Sequence, residues 1–388
     1  MKLPGIFFVY AGILTIFGPS PVAIHLSLLF VNLTTAFLLF LLGRSLLNFS
    51  VGIVAGISFS VLSLSPSLQG VWANSEHYVL LPAVGGVLLL RLARDRPARF
   101  FLSGLLLGCA LLIKQHAIFF CIFGTLYLGA RGIVISHSFK KIFRSIVLFG
   151  AGGLVPIILS AFLYVVSGKF SDFWFCTIQY ASEYVSMTAP GEGFENFKYN
   201  FSQILEVNSP ILWVSLVGLV SAVWRKERKK EYLFLFGFFA CTFLAVTPGL
   251  YFRIHYFLLW VPALSLLAGV GFEILTSGFS SSRVKTAISV VTLALVLGLP
   301  VLIQKRILFT MPVNEVTRMI YGLNPFSESL EIAQYIRDHT KKEDKIAVLG
   351  SEPQIYFYSQ RKSATRHLYM YPLMEKHVYA RKMQDEMI

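Results

Sequence analysis

One carboxylate, Glu76, is the first candidate for a functional residue in this sequence. It lies in the polar stretch Trp72-Ala-Asn-Ser-Glu-His-Tyr78, which runs directly into the apolar stretch 79–90. Asn74 or Ser75 could cap a helix there, and the helix dipole stabilises a glutamate in the first turn. If the apolar stretch crosses a membrane, Glu76 lies at the water boundary, where an ionisable side chain is a functional candidate by default. The structural alternative is an interfacial helix cap.

Three further polar residues, Lys114, Arg253 and His255, lie beside apolar stretches. Each has a structural alternative as well. Lys114 could be a turn residue whose side chain reaches out to water, and Arg253 and His255 could anchor the protein at the membrane interface. Because these residues are far apart in the sequence, they form one site only if the intervening segments bring them to the same membrane face.

The composition predicts what those intervening segments are. Of the 388 residues, 55% are hydrophobic and 14% are charged, whereas a soluble domain has about 25% charged residues. Many apolar stretches approach the length of roughly twenty residues that crosses a bilayer as a helix. We therefore predict an all-α polytopic membrane protein, with a transmembrane core of about ten helices in residues 21–304.

The net charge of +14 does not indicate a nucleic-acid-binding protein. With the loop after residues 21–43 placed inside, the inner loops hold sixteen Lys and Arg residues and the outer loops hold four, which is a positive-inside distribution. Both flanks of Phe100–Ala130 are basic, so this segment is expected to form a hairpin that turns at Lys114–His116. The outer face then receives all four candidate residues: Glu76, Lys114, Arg253 and His255.

The same outer face receives a long loop, residues 168–208. Within this loop, Phe170–Tyr184 carries aromatic residues among polar ones at a spacing that suits an amphipathic helix lying in the membrane interface. A helix packed on other parts of the protein is the alternative.

The tail, residues 305–388, has the composition of a soluble segment. A helix is predicted from Ser327 or Ser329 to His339, followed by a buried strand at Lys345–Gly350 and a second helix that starts near Pro353. This order is typical of the start of an α/β domain. A sheet needs more strands than the tail offers, so we predict a small, incomplete α/β segment on the extracytoplasmic side.

Several short motifs, in their order along the chain, resemble the membrane-embedded GT-C glycosyltransferases. The branch that they resemble is the bacterial one related to protein O-mannosyltransferases and to the aminoarabinose transferase of lipid A. The motifs are Lys2-Leu-Pro-Gly-Ile-Phe-Phe8, Leu42-Gly-Arg44, Ala73-Asn-Ser-Glu-His77, Leu112-Ile-Lys-Gln115, Tyr251-Phe-Arg-Ile-His-Tyr-Phe257, Asn324-Pro-Phe326 and Gly350-Ser-Glu-Pro-Gln-Ile-Tyr356. No single motif is specific, but their order covers nearly the whole chain.

The resemblance implies transfer of a sugar from a polyprenyl-phosphate donor to an extracytoplasmic acceptor, with inversion at the anomeric carbon. Such a displacement needs a carboxylate that takes the acceptor proton and cations that stabilise the departing phosphate. Carried over by position, Glu76 is the catalytic or metal-facing carboxylate. The groups implied to bind the donor phosphate are Lys2, Lys114, Arg253 and His255.

The resemblance also implies an enzyme of the bacterial plasma membrane, with membrane lipid and a lipid-linked sugar as partners and with a divalent metal as an open expectation. The sequence departs from the family at both ends. Relatives have one more transmembrane helix before the Lys2 motif, an outer loop with the principal catalytic aspartate, and a longer tail. Residues 1–20 are therefore expected to form an interfacial helix, and the chain is expected to be trimmed at both ends.

Without that aspartate loop, this exact chain could lack activity. Two alternatives stay open. One is a non-catalytic membrane partner or a truncated gene product, and the other is a lipid or solute transporter. The absence of an internal sequence repeat disfavours the transporter.

Overall fold

The structure is a computed structural model that describes residues 3–134, 138–277, 282–350, 352–375 and 377–387. The chain separates into two compact units, Met1–Gln304 and Lys305–Ile388.

Helices make up nearly all of the described part of the first unit. Its α-helices are α1 (Gly5–Phe17), α2 (Pro21–Leu46), α3 (Phe49–Leu64), α4 (Ser75–Arg91), α5 (Pro97–Ile113), α6 (Ile118–Val134), α7 (Phe139–Val166), α8 (Phe170–Trp174), α9 (Tyr180–Val185), α10 (Pro190–Val220), α11 (Lys229–Leu244), α12 (Val261–Ser277) and α13 (Ser282–Ile303). Short 3₁₀ segments connect several of them, at Pro66–Leu68, Gln115–Ala117, Ser221–Val223, Lys226–Arg228, Pro248–Leu250 and Ile254–Trp260.

Some of these helices begin where the sequence supplies a cap. The Ser20 hydroxyl accepts a hydrogen bond from the Ala23 amide at 3.2 Å at the start of α2. The Asn48 side chain accepts one from the Val51 amide at 3.0 Å at the start of α3. Both side chains satisfy backbone donors that the first helical turn leaves without partners.

Six helical segments of the described chain are long and apolar enough to cross a membrane, so the protein is an integral membrane protein. They are Pro21–Leu46, Gln115–Val134, Phe139–Val166, Pro190–Val223, Ile254–Ser277 and Arg283–Ile303. This confirms six spans and not the predicted count of about ten. The difference lies partly in short apolar helices, such as α3 with 16 residues and α5 with 17.

The predicted hairpin around Lys114 is confirmed. α5 ends at Ile113, and a 3₁₀ turn at Gln115–Ala117 leads into α6. At the other end of this pair, Arg131 of α6 forms an ion pair with Asp95, just before α5, at 3.1 Å. The start of α5 therefore lies next to the end of α6, which requires the two helices to run in opposite directions.

Close helix crossings in the first unit depend on glycine. A Cβ on Gly104 of α5 would lie 1.9 Å from the Phe149 carbonyl oxygen, and one on Gly152 of α7 would lie 2.0 Å from that of Phe101. Any side chain at position 104 or 152 would therefore push α5 and α7 apart. Small residues allow helix backbones to approach closely in a membrane, where apolar burial alone does not drive helices together.

We expect Gly104→Ala to lower the free energy of unfolding by about 1–3 kcal/mol, because the added methyl group must push α5 away from α7. Thermal unfolding of the purified protein in detergent measures this change. Gly150→Ala on α7 is the matched control, since a Cβ there meets nothing within 4 Å. Equal stability losses in the two variants would show that the α5–α7 crossing is not close-packed.

The second unit holds a π-helical turn at Arg306–Thr310, five short α-helices and two strands among its described residues. The α-helices and strands are α14 (Val313–Tyr321), α15 (Ser329–His339), α16 (Gln354–Ser359), α17 (Tyr371–Met374), α18 (Ala380–Asp385), β1 (Lys345–Ile346) and β2 (Lys362–Ser363). The strands pair in parallel, with Lys345 opposite Lys362.

The helices predicted to end at His339 and to start near Pro353 are confirmed as α15 and α16. The buried strand predicted at Lys345–Gly350 is wrong. Only its first two residues form a strand, and the Leu349 side chain is 86% exposed. Among the described residues, β2 is the one strand that pairs with β1. A sheet of two short strands is too small to bury the residues that follow β1.

Candidate functional site

The candidate carboxylate, Glu76, lies in the first turn of α4, as predicted. The expected side-chain cap is missing, because the Asn74 amide donates to the Gln69 carbonyl at 3.2 Å instead. Glu76 is completely buried, and its Oε2 accepts a hydrogen bond from the Ser75 hydroxyl at 3.0 Å. A buried carboxylate is costly unless a cation compensates its charge, so the cation that faces it is central to this site.

That cation is Lys114, which lies where α5 ends. Its ammonium group forms an ion pair with Glu76 Oε1, and the two side chains are 9% and 1% exposed. The same ammonium group lies 3.9 Å from the centre of the Tyr256 ring, a cation–π contact. The alternative role of Lys114, as a turn residue that reaches out to water, is therefore wrong.

His255 is the third member of this cluster. Its Nε2 lies 3.9 Å from Glu76 Oε1, and its Nδ1 lies 3.1 Å from Gln69 Oε1. The His255 side chain is 23% exposed, whereas Glu76 and Lys114 are buried. The cluster therefore opens to the protein surface at His255. Elements distant in sequence thus supply one charged cluster: α4, the end of α5, and the 3₁₀ segment Ile254–Trp260.

The helices that carry this cluster are well placed to hold it rigidly. Of the span that begins at Ile254, 78% is buried within the protein, against 11% for the span Arg283–Ile303. Most of α4 is buried as well. Close packing on every side fixes side-chain positions, so the cluster sits on elements that have little freedom to move.

Arg253 precedes His255 by two residues in the sequence, but its side chain contacts other residues. It is exposed, its guanidinium donates to the Tyr184 hydroxyl at 2.9 Å, and its Cζ lies 5.4 Å from the centre of the Tyr251 ring. The structure therefore brings Glu76, Lys114 and His255 into contact, and it joins Arg253 to Tyr184 of α9.

Lys2 lies outside the described residues. The helix that follows it, α1, packs against the ends of α4 and α5 that carry the cluster. A Cβ on Gly5 would lie 2.5 Å from the Leu112 carbonyl oxygen, and the Tyr10 hydroxyl donates to the Ala73 carbonyl. The start of α1 therefore lies next to the end of α5, which Lys114 directly follows.

Comparison with known proteins finds a family that matches part of the chain and solved structures that match its fold. Residues 2–165 match the family of dolichyl-phosphate-mannose-protein mannosyltransferases. The chain superposes on ArnT from Cupriavidus metallidurans bound to undecaprenyl phosphate with a TM-score of 0.64 and 14% identity, over 93% of this chain and 75% of ArnT. The chain has the GT-C glycosyltransferase fold. The predicted resemblance is thereby confirmed.

A second GT-C structure agrees with this result. The archaeal oligosaccharyltransferase AglB from Archaeoglobus fulgidus, in complex with an inhibitory peptide and a dolichol-phosphate, superposes with a TM-score of 0.58 and 13% identity. The match covers 92% of this chain and 51% of AglB, so this chain spans about half the length of that protein. No protein of curated function matches the chain in sequence.

The residues of the Glu76–Lys114–His255 cluster do not fit a divalent metal ion. Glu76 is the carboxylate of the cluster, and its oxygens face the Lys114 ammonium and the Ser75 hydroxyl. Divalent cations such as Mg²⁺ and Ca²⁺ prefer several oxygen ligands. Within the described residues, no group of three or more His, Cys, Asp and Glu side chains could hold a metal ion.

Three further residues contact the Glu76–Lys114–His255 cluster and were not identified from the sequence. Gln69 binds His255, Tyr256 lies beneath Lys114, and the His116 ring packs edge-on against Tyr256 with 4.7 Å between centroids. His116 and Tyr256 stand in or next to motifs that the resemblance used, which was a usable signal. Gln69 had none, because it lies in a loop whose contacts depend on the tertiary structure.

Proposed function

We propose that this chain is a membrane glycosyltransferase of the GT-C type, which transfers a sugar from a polyprenyl-phosphate donor to an extracytoplasmic acceptor with inversion. The observation that carries this proposal is the contact of Glu76 with Lys114 and His255 within a GT-C fold. The neighbours ArnT and AglB, described with undecaprenyl phosphate and with a dolichol-phosphate, support a lipid phosphate as the donor carrier.

In this mechanism the lipid phosphate approaches from the exposed side of His255. Charge grows on the phosphate as the bond to the sugar breaks, and nearby cations stabilise it more in the transition state than in the ground state. Lys114 and His255 supply that charge. Lys2 and Arg253 are proposed to complete the phosphate site, since α1 begins at the cluster and Arg253 precedes His255 by two residues.

Glu76 has two tasks in sequence. Before the donor binds, its carboxylate compensates Lys114 and orients the ammonium group. When the phosphate arrives, Lys114 turns toward it and leaves Glu76 Oε1 without its ion-pair partner. The carboxylate can then take the proton from the acceptor hydroxyl as that oxygen attacks the anomeric carbon, and the sugar–phosphate bond breaks in the same displacement.

We expect His255→Asn to weaken the binding of undecaprenyl phosphate by about tenfold or more, because a charge-assisted hydrogen bond is worth about 1.5–3 kcal/mol. Titration of the lipid into the purified chain in nanodiscs measures this affinity. Lys198→Ala removes an exposed positive charge on α10 outside the cluster and serves as the control. If the two variants bind the lipid equally well, the phosphate does not bind at His255.

The orientation of the site is part of the proposal. The cluster, the loop 168–208 and the tail are placed outside, residues 1–20 rest in the interface, and the shorter helices α3, α4, α5 and α11 complete about ten spans. A cysteine at position 198 should then react with an impermeant maleimide in intact cells. A cysteine at position 141, at the basic start of α7, should not react, in a background without the four native cysteines. The reverse labelling pattern would place the site on the inner face.

A further inference from the structure

The outer loop contains a helical arm, which we define as residues 170–185. It consists of α8, a π-helical turn at Phe175–Gln179, and α9. Large apolar side chains stand exposed along it at intervals of about one helical turn: Phe170 (40%), Trp174 (46%), Ile178 (48%) and Val185 (50%). Residues four apart lie on one side of a helix, so the first three form an apolar stripe.

The neighbouring helix indicates what covers this stripe. The arm directly follows α7, a candidate membrane span whose last residues, Val165 and Val166, are 56% and 70% exposed. The Tyr164 ring of α7 stacks on Phe173 of the arm at 4.7 Å, which holds the arm against the end of the span. The stripe therefore continues the lipid-facing surface of α7. Tryptophan is enriched at this depth, where the bilayer meets water.

The other side of the arm contacts the loop that carries Arg253. Tyr180 is buried, and the Tyr184 ring stacks on Tyr251 with 4.6 Å between centroids. The Tyr251 hydroxyl donates to the Tyr184 carbonyl at 3.1 Å, and Arg253 donates to the Tyr184 hydroxyl at 2.9 Å. The arm thus carries exposed apolar side chains on one side, and its Tyr184 hydroxyl accepts a hydrogen bond from Arg253.

We propose that the arm rests on the outer surface of the lipid bilayer and that Tyr184 is a positioning residue for Arg253. Contact with the bilayer holds the arm in place, the arm holds the Tyr184–Tyr251 pair, and that pair fixes the guanidinium beside the segment that carries His255. The part of this inference that concerns Arg253 rests on the proposed function. The contact with the bilayer does not depend on it.

Tryptophan quenching tests the contact with the bilayer. The full chain is placed in nanodiscs with phospholipids brominated either near the headgroup or deep in the acyl chains. The emission that Trp174→Phe removes should be quenched most strongly by the shallow bromines. The emission that Trp213→Phe removes should be quenched most strongly by the deep bromines, since Trp213 is 61% exposed within the α10 span. If neither lipid quenches Trp174, the arm lies on protein or in water and the proposal is wrong.

Tyr184→Phe tests the positioning of Arg253, because it removes the hydroxyl and keeps the ring. We expect it to weaken undecaprenyl phosphate binding about five- to tenfold, the net contribution of one typical hydrogen bond, while Trp174 quenching stays unchanged. In an Arg253→Gln background the same substitution should have no further effect, as expected for two residues that act together. Tyr199→Phe, at a 69% exposed tyrosine of α10, is the control.

Additive effects of Tyr184→Phe and Arg253→Gln would show that Tyr184 does not act through Arg253. A wild-type chain that fails to bind undecaprenyl phosphate would overturn the proposed function and the role of Tyr184 together. The quenching result would still decide the contact of the arm with the bilayer.

Discussion

Replacing Lys114 with methionine is expected to lower the free energy of unfolding by about 3–5 kcal/mol, because it leaves a buried carboxylate without a partner. The Glu76 side chain is 1% exposed, and its ion pair with Lys114 compensates its charge. Methionine keeps most of the volume of the lysine side chain, so the loss reports the charge and not a cavity. Thermal or denaturant unfolding of the purified protein in detergent measures it.

The double variant Lys114→Met, Glu76→Gln is the matched control for this prediction. It removes both charges and leaves polar and apolar groups of similar size, which is often close to neutral for stability. We therefore expect it to regain most of the lost stability. If the single variant is as stable as the wild type, the buried ion pair described here does not exist in the folded protein.

The second large effect is expected on catalysis. Glu76→Gln keeps the shape of the side chain and an oxygen that can face Lys114, but it cannot take a proton. We expect sugar transfer from an undecaprenyl-phosphate-linked donor to fall by about 10²–10⁴-fold, the usual contribution of a general base. Binding of undecaprenyl phosphate should change much less, because Lys114 and His255 both remain in the cluster.

Transfer of a radiolabelled sugar by the purified chain, at saturating donor, measures this loss. Glu192→Gln is the control, since Glu192 is an exposed carboxylate in the first turn of α10. Equal turnover by the Glu76→Gln variant and the wild type would remove Glu76 from the mechanism. Loss of lipid binding together with turnover would leave it only the task of orienting Lys114.

Features set by local sequence were predictable. The basic residues on both flanks of Phe100–Ala130 were enough to predict the hairpin at Lys114, because positive charge near the ends of a span decides its orientation. The first turn of α4 at Glu76 and the helix Ser329–His339 follow from the apolar spacing, although neither helix has the predicted side-chain cap. The GT-C resemblance was detectable because the order of several weak motifs is preserved along nearly the whole chain.

Features set by tertiary contact were not predictable. Glu76 and Lys114 are 38 residues apart, and Tyr184 and Arg253 are 69 apart, and no local rule specifies either contact. The strand predicted at Lys345–Gly350 depended on its apolar pattern alone. That pattern does not reveal whether neighbouring strands are present to cover it. The number of membrane spans was not predictable either, because helices such as α3 are shorter than the roughly twenty residues of a typical span.

A structure of this chain with undecaprenyl phosphate, determined by cryo-electron microscopy in nanodiscs, tests the central claim most directly. The account predicts a phosphate oxygen within about 4 Å of the Lys114 ammonium nitrogen, the usual range of an ion pair, with His255 on its exposed side and Glu76 Oε1 released. Phosphate density among the arginines of the opposite membrane face, with Lys114 still paired to Glu76, would contradict it.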